Sequence, residues 1–135
     1  MSKPIETLEG IGPKNGSILR HAGVGTVEKL LKFGGSKPGR RALAAQTGIA
    51  EKQLLRCVNM ADLFRIRGVA SQYAELLEAA GVDTVKELRN RNADNLATKM
   101  AEVNADRKLV RMVPSAKMVA RWVSQAKVLS PKVTH

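Results

Sequence analysis

The chain holds one cysteine in 135 residues, Cys57, so no disulfide can close within it. Leu54, Leu55 and Val58 beside it mark a small buried hydrophobe and not a reactive thiol. Aromatic residues amount to 3% and β-branched runs are absent. Strands draw on both, so their scarcity predicts helices. No apolar run reaches the roughly 18 residues of a membrane span, and the N-terminus lacks a basic-then-apolar signal pattern. A soluble cytoplasmic protein with no membrane partner is the expectation. His21 and His135 are isolated, with no Cys/His cluster and no His-Glu-x-x-His, which argues against a metal. No Ser/His/Asp set or carboxylate pair stands out, so no catalytic residue, no cofactor and no enzyme is expected. Some DNA glycosylases use a hairpin of the type described below, but nothing here supplies their base pocket.

Acidic residues are also few. Twelve Asp and Glu face 23 Lys and Arg, giving a net charge of +11 and a pI near 10.3. A compact domain this basic usually meets a polyanion, most often nucleic acid, although a merely soluble cationic surface has the same composition. The excess is spread along the chain: residues 1–60 carry 10 basic and 4 acidic residues, and residues 61–135 carry 13 and 8. Apolar residues, at 44%, suffice for a packed core.

An internal repeat organises the rest. Shifted by 58 positions, residues 10–30 fall on 68–88 with eight of 21 identities, among them Gly10 on Gly68 and Ala22-Gly23-Val24 on Ala80-Gly81-Val82. Thr26-Val27 likewise meets Thr84-Val85. At a shift of 65, Arg56, Val58 and Ala61 meet Arg121, Val123 and Ala126, which implies extra residues between Asp106 and Pro114. Each copy has one grammar. A helix ends at a glycine (Gly23, Gly81), and a threonine (Thr26, Thr84) caps the next. Thr84 to Glu87 reads as a capping box. Further helices are expected from Gly39 to Gln46 behind Pro38, from about Ala50 to Arg65, from Asn92 or Asp94 to about Asp106, and from Ala116 to Leu129 behind Ser115. Residues 1–63 then form the first repeat and 60–129 the second, sharing the long connecting helix, with 130–135 a frayed tail.

Leu8-Glu9-Gly10-Ile11-Gly12-Pro13-Lys14 is the stretch with the most chemistry. Two glycines bracket one apolar residue between helices, and Pro13 opens the second helix. Glycine permits a positive φ and close backbone approach. The N–H groups from Gly12 to Asn15 point out of a helix N-terminus, where an anion is favoured, and Lys14 adds a charge. The bland alternative is a plain turn.

Together these pieces resemble tandem helix-hairpin-helix proteins, and in particular an uncharacterised bacterial family of domains of unknown function built from such repeats. The resemblance covers nearly the whole chain. Its most specific parts are Asn59-Met60-Ala61-Asp62-Leu63, Arg67-Gly68-Val69, the run from Tyr73 to Leu88, and Pro114-Ser115 with Trp122. The Tyr73–Leu88 run is also similar to the C-terminal domain of the bacterial RNA polymerase α subunit, a helical domain that binds DNA in the minor groove. The resemblance implies an all-α fold of two fused repeats in one compact domain, and contact with double-stranded DNA.

The expected function is therefore DNA binding through backbone phosphates, without sequence preference, in the cytoplasm at the nucleoid. Gly10, Ile11, Gly12, Lys14 and Asn15 would hold one strand. Arg65, Arg67, Gly68, Val69 and Ser71 could hold the other, because two pseudo-equivalent hairpins can straddle a minor groove. One departure matters: Ala70 stands where Gly12 stands, and alanine tolerates a positive φ poorly. The second turn is thus open to a structural role or a protein contact. A basic glycine-rich loop, Phe33-Gly34-Gly35-Ser36 with Lys37, Arg40 and Arg41, is a third phosphate candidate, a solvated cationic loop being its alternative. Tyr73 and Trp122 are expected in the core. The competing class is an adaptor whose protein partner belongs to a nucleic-acid-processing machine.

Overall fold

Helix punctuation in the sequence is obeyed almost residue for residue. The computed structural model describes residues 3–8 and 10–135. Among them are a short 3-10 turn, Ile5–Thr7, and eight α-helices: α1 Gly12–His21, α2 Val27–Gly34, α3 Lys37–Thr47, α4 Glu51–Leu63, α5 Ser71–Ala79, α6 Val85–Leu88, α7 Ala93–Arg107 and α8 Ala116–Val128. No strand forms among the described residues; Pro4 and Thr26 share one isolated bridge. No helix of the described residues is long and apolar enough to cross a membrane.

The chain divides into two units, Met1–Asp62 with Lys132–His135, and Leu63–Pro131. In the first, the 3-10 turn packs on α1 and α2, and α2 lies against α3. Ile5, Leu8, Leu19, Leu30 and Leu54 are fully buried there. In the second, α7 packs on α8 and α5, and α6 packs on α8. Leu76, Leu77, Leu88, Leu96 and Met100 fill that core. Trp122 is 2% exposed and meets the Tyr73 ring at 5.3 Å. The Tyr73 hydroxyl donates to Met112 O at 3.0 Å.

The sequence repeat is written into the hydrogen bonds. Ile11 N–H donates to Leu8 O, and Val69 N–H, 58 residues on, donates to Ile66 O. At the ends of α1 and α5, Val24 N–H reaches Leu19 O and Val82 N–H reaches Leu77 O, each at 2.8 Å. Gly23 and Gly81 donate to Arg20 O and Glu78 O, completing the same Schellman closure twice. Thr26 and Thr84 then accept from the amides of Lys29 and Glu87. The Glu87 carboxylate accepts from Arg91 Nε at 3.1 Å. Val58 and Ala61 are buried in α4, as are Val123 and Ala126 in α8. The extra length of the second half lies in α7, 15 residues against 11 in α3, and in the connector after it. There Asn104, buried, brackets Val110 through both its N–H and its carbonyl.

The expectation of a frayed tail is overturned. Val133 is 8% exposed, and Thr134 N–H donates to Gly35 O at 2.9 Å. His135 Nε2 lies 3.3 Å from Asn59 Oδ1. The segment is short and polar, which reads as disorder in sequence, but its backbone finds partners 99 residues upstream at the α2–α3 turn.

Candidate nucleic-acid interface

The first turn is built from alternating backbone handedness. Gly10 has φ +83° and Gly12 φ +74°, with Ile11 right-handed between them and its side chain buried. Ile11 is thus an anchor: its side chain faces the core and its N–H is used by Leu8 O at 3.4 Å. A β-carbon on Gly10 or Gly12 would meet no atom within 4 Å. The two glycines therefore face open space, and their handedness, not crowding, requires them. Lys14 is exposed and Asn15 half-buried in the first turn of α1. Glu9, in the middle of this stretch, lies outside the described residues.

Helix capping separates this turn from most of the molecule. Thr26, Ser36, Thr84, Asn92 and Ser115 each cap their helix through a side-chain oxygen that accepts from the amide three residues on. The N-cap residues of α1 and α5, Ile11 and Ala70, make no such bond. These are the helices that follow the two candidate turns. At α1 the N-cap residue therefore leaves the positive end of the helix to attract an anion.

A cleft of about 320 Å³ opens at the first turn, lined by Glu6, Leu8, Gly10, Ile11, Gly12 and Pro13. Glu6 brings a negative charge to it, and Arg20 takes that charge up. Arg20 Nε donates to Glu6 Oε2 at 2.8 Å, and Arg20 Nη2 to Glu6 Oε1. This pairing, helped by the residue's own backbone N–H, holds the Glu6 carboxyl down at about 2.

The second turn differs in the way Ala70 requires. Gly68 keeps the left-handed φ, +94°, but Ala70 has φ −106° where Gly12 has +74°. The chain leaves the turn extended and α5 starts one residue later, at Ser71. This turn is also closed by its own unit. Gln125 of α8 accepts from Arg67 N–H at 2.8 Å and donates to Arg67 O at 3.2 Å. A β-carbon on Gly68 would sit 3.1 Å from Trp122 Nε1. Val69 is buried and its N–H is used by Ile66 O. Val69, expected to present backbone to phosphate, is instead buried with its N–H used, while Gly68 is exposed beside Trp122. Arg65 donates to Ser130 O at 2.8 Å, whereas the Arg67 side chain is exposed.

The basic glycine loop is corrected most sharply. Arg40 is 3% exposed. Its guanidinium donates to Gly34 O at 3.0 Å, to Gly35 O at 2.9 Å and to Thr134 O. Burial draws its pKa below the usual arginine value, and the charge of Glu51 opposes the shift. Arg40 is a bolt between the α2–α3 turn and the C-terminal segment and presents no charge to a ligand. A β-carbon on Gly35 would press on Lys132 O, so that glycine makes room for the tail and not for phosphate. Lys37 and Arg41 remain exposed, Arg41 with Glu51 at 3.8 Å.

Three residues of α8 lie outside the expected binding set. Lys117, Arg121 and Gln125 stand at four-residue spacing and line a cleft with Arg67. That spacing, with no acid between, was the available signal. No cluster of three or more His, Cys, Asp or Glu among the described residues is placed to hold a metal ion.

No curated protein and no solved structure matches the chain. One family model matches residues 9–129, and the span runs from the first turn through the whole of α8. The chain belongs to that family, the domain of unknown function DUF4332.

Proposed function

We propose that the protein binds double-stranded DNA through backbone phosphates, with little sequence preference, as a nucleoid-associated protein made of two fused helix-hairpin-helix repeats, and that it is not an enzyme. The observation that carries this reading is the first turn. Two left-handed glycines face open space ahead of a helix that no N-cap side chain closes, with Lys14 exposed in its first turn. Amides at a helix N-terminus favour a phosphate oxygen, and a Gly-apolar-Gly turn lets the backbone reach it. The net charge of +11 supplies the long-range attraction. Phosphate contacts fix position on a duplex and carry no sequence information.

Fluorescence anisotropy on two duplexes of unrelated sequence, across a salt series, tests it. Similar affinities and a log–log salt slope of about −0.9 per neutralised phosphate are expected. Absence of binding at low salt would overturn the reading.

One feature favours the adaptor reading instead. Phe33 is 47% exposed beside a cleft of about 390 Å³ lined by Val24, Ala42 and Leu43 among others. If a protein partner were the main ligand, binding would show a shallow salt dependence and Phe33→Ala would weaken it.

A further inference from the structure

An open cleft of about 600 Å³ lies in the second unit between the turn at Arg67 and the outer face of α8. Arg67, Lys117, Ala120, Arg121, Ser124 and Gln125 line it. Three of the six are cationic and none is acidic. The Arg67, Lys117 and Arg121 side chains are exposed, and none pairs with a carboxylate among the described residues of the unit. Like charges gathered without counter-charges repel, so the arrangement lowers stability unless an anion arrives.

The cleft is also held in shape. Val119, Trp122 and Val123 bury the opposite face of α8. Gln125 grips both the N–H and the carbonyl of Arg67, fixing the origin of that side chain relative to the helix. Lys117 and Arg121, one turn apart, have β-carbons roughly 6 Å from each other. That is the scale of the step between neighbouring phosphates on one strand. Guanidinium groups pair with phosphate oxygens in a fork, and the Ser124 hydroxyl adds a donor.

We propose that this cleft is a phosphate-backbone site made of side chains, set beside a second turn whose Arg67 backbone and Val69 N–H are already bonded within the unit. The inference rests on the nucleic-acid reading above and adds to it where the second unit touches the strand. The ligand chemistry is a run of phosphates, whether in a nucleic acid or in free polyphosphate.

The test uses the full chain and three proteins: wild type, the double variant Lys117→Gln with Arg121→Gln, and a charge-matched control, Lys86→Gln with Lys99→Gln, whose lysines are exposed elsewhere in the same unit. Thermal melting establishes that all three are folded. Duplex binding is then measured across salt. The cleft variant is expected to bind more than about tenfold more weakly at 0.1 M salt and to lose about 1.8 from the slope, at 0.9 per phosphate. The control is expected to lose less than half of that. Equal losses in both double variants would overturn the site, reducing it to general charge. So would a cleft variant that binds both duplex and tripolyphosphate like wild type, while the DNA reading stands. No duplex binding by wild type would overturn both. Inorganic tripolyphosphate forms the second arm. Competition for duplex at a concentration similar to its phosphate content supports the site, and tripolyphosphate binding lost in the cleft variant with duplex binding intact would overturn the nucleic-acid assignment.

Discussion

Replacing Arg40 by alanine tests the largest correction that the structure makes to the sequence. The guanidinium spans three carbonyls, those of Gly34, Gly35 and Thr134, from a buried position. A hydrogen bond to a charged group contributes about 1.5–3 kcal/mol, and three from one group add less than three times that. All three carbonyls lose their charged partner, but Gly35 O keeps a second donor, Thr134 N–H, so the loss falls mainly on Gly34 O and Thr134 O. The expected loss is about 3–5 kcal/mol. With an unfolding entropy of about 2.1 cal/mol/K per residue, each kcal/mol shifts Tm by roughly 3–4 °C in a chain of this size. Calorimetry should therefore find Arg40→Ala melting about 10–18 °C below wild type. Arg40→Lys keeps the charge but cannot fork to three acceptors, and should recover less than half. Removing residues 132–135 in the Arg40→Ala background should cost less than in wild type, because the two changes break the same contact. A melting point within about 2 °C of wild type, together with weakened duplex binding, would refute the bolt and restore Arg40 to a surface role.

Three further outcomes are expected. Gly12→Val places a β-branched residue at φ +74°, a strain of about 1–3 kcal/mol, and should weaken duplex binding more than Lys14→Ala, which takes about one unit of phosphate count from the salt slope; anisotropy on protein shown by circular dichroism to be folded decides it, and undiminished affinity makes the turn a structural corner. Trp122→Ala should lower stability by about 3–5 kcal/mol in thermal melts, since the indole is buried on Tyr73 and Gly68; an unchanged Tm would place it at the surface. The Glu6–Arg20 pair holds the Glu6 carboxyl at about 2, below its ordinary 4.5, so its stabilisation is complete above pH 4.5 and disappears as pH falls through 2. Glu6→Gln should therefore melt lower than wild type at neutral pH and level with it below pH 2. A gap that persists in acid would deny the pair its role.

What the sequence disclosed is what short range decides. The threonine caps, the glycines that close α1 and α5, and the helix starts behind Pro13 and Ser115 depend on bonds spanning three to five residues, and both partners sit in one window of sequence. The consequence of Ala70 was readable for the same reason, since a β-carbon disfavours the handedness of Gly12. Arg40 was misread because a basic residue in a basic loop looks alike whether its partners are solvent or carbonyls, and one of its acceptors lies 94 residues away. The closure of the second turn by Gln125 is likewise set 58 residues downstream. The cationic face of α8 was visible as spacing, but only the turn at Arg67 makes a cleft of it.

The return of the C-terminal segment to the α2–α3 turn gives the chain an order of completion. Ribosomes deliver residues from the N-terminus at about 5–20 per second, so Leu63–Pro131 is made in full before Val133 and Thr134 reach Gly35 and Arg40. Through that interval the nascent first unit holds a buried-type arginine with one acceptor not yet made. The same connectivity means that a protease cut anywhere in Leu63–Pro131 severs the covalent tether of the clasp on a unit it never touched. Residues 132–135 thereby close the first unit only after everything between has been made.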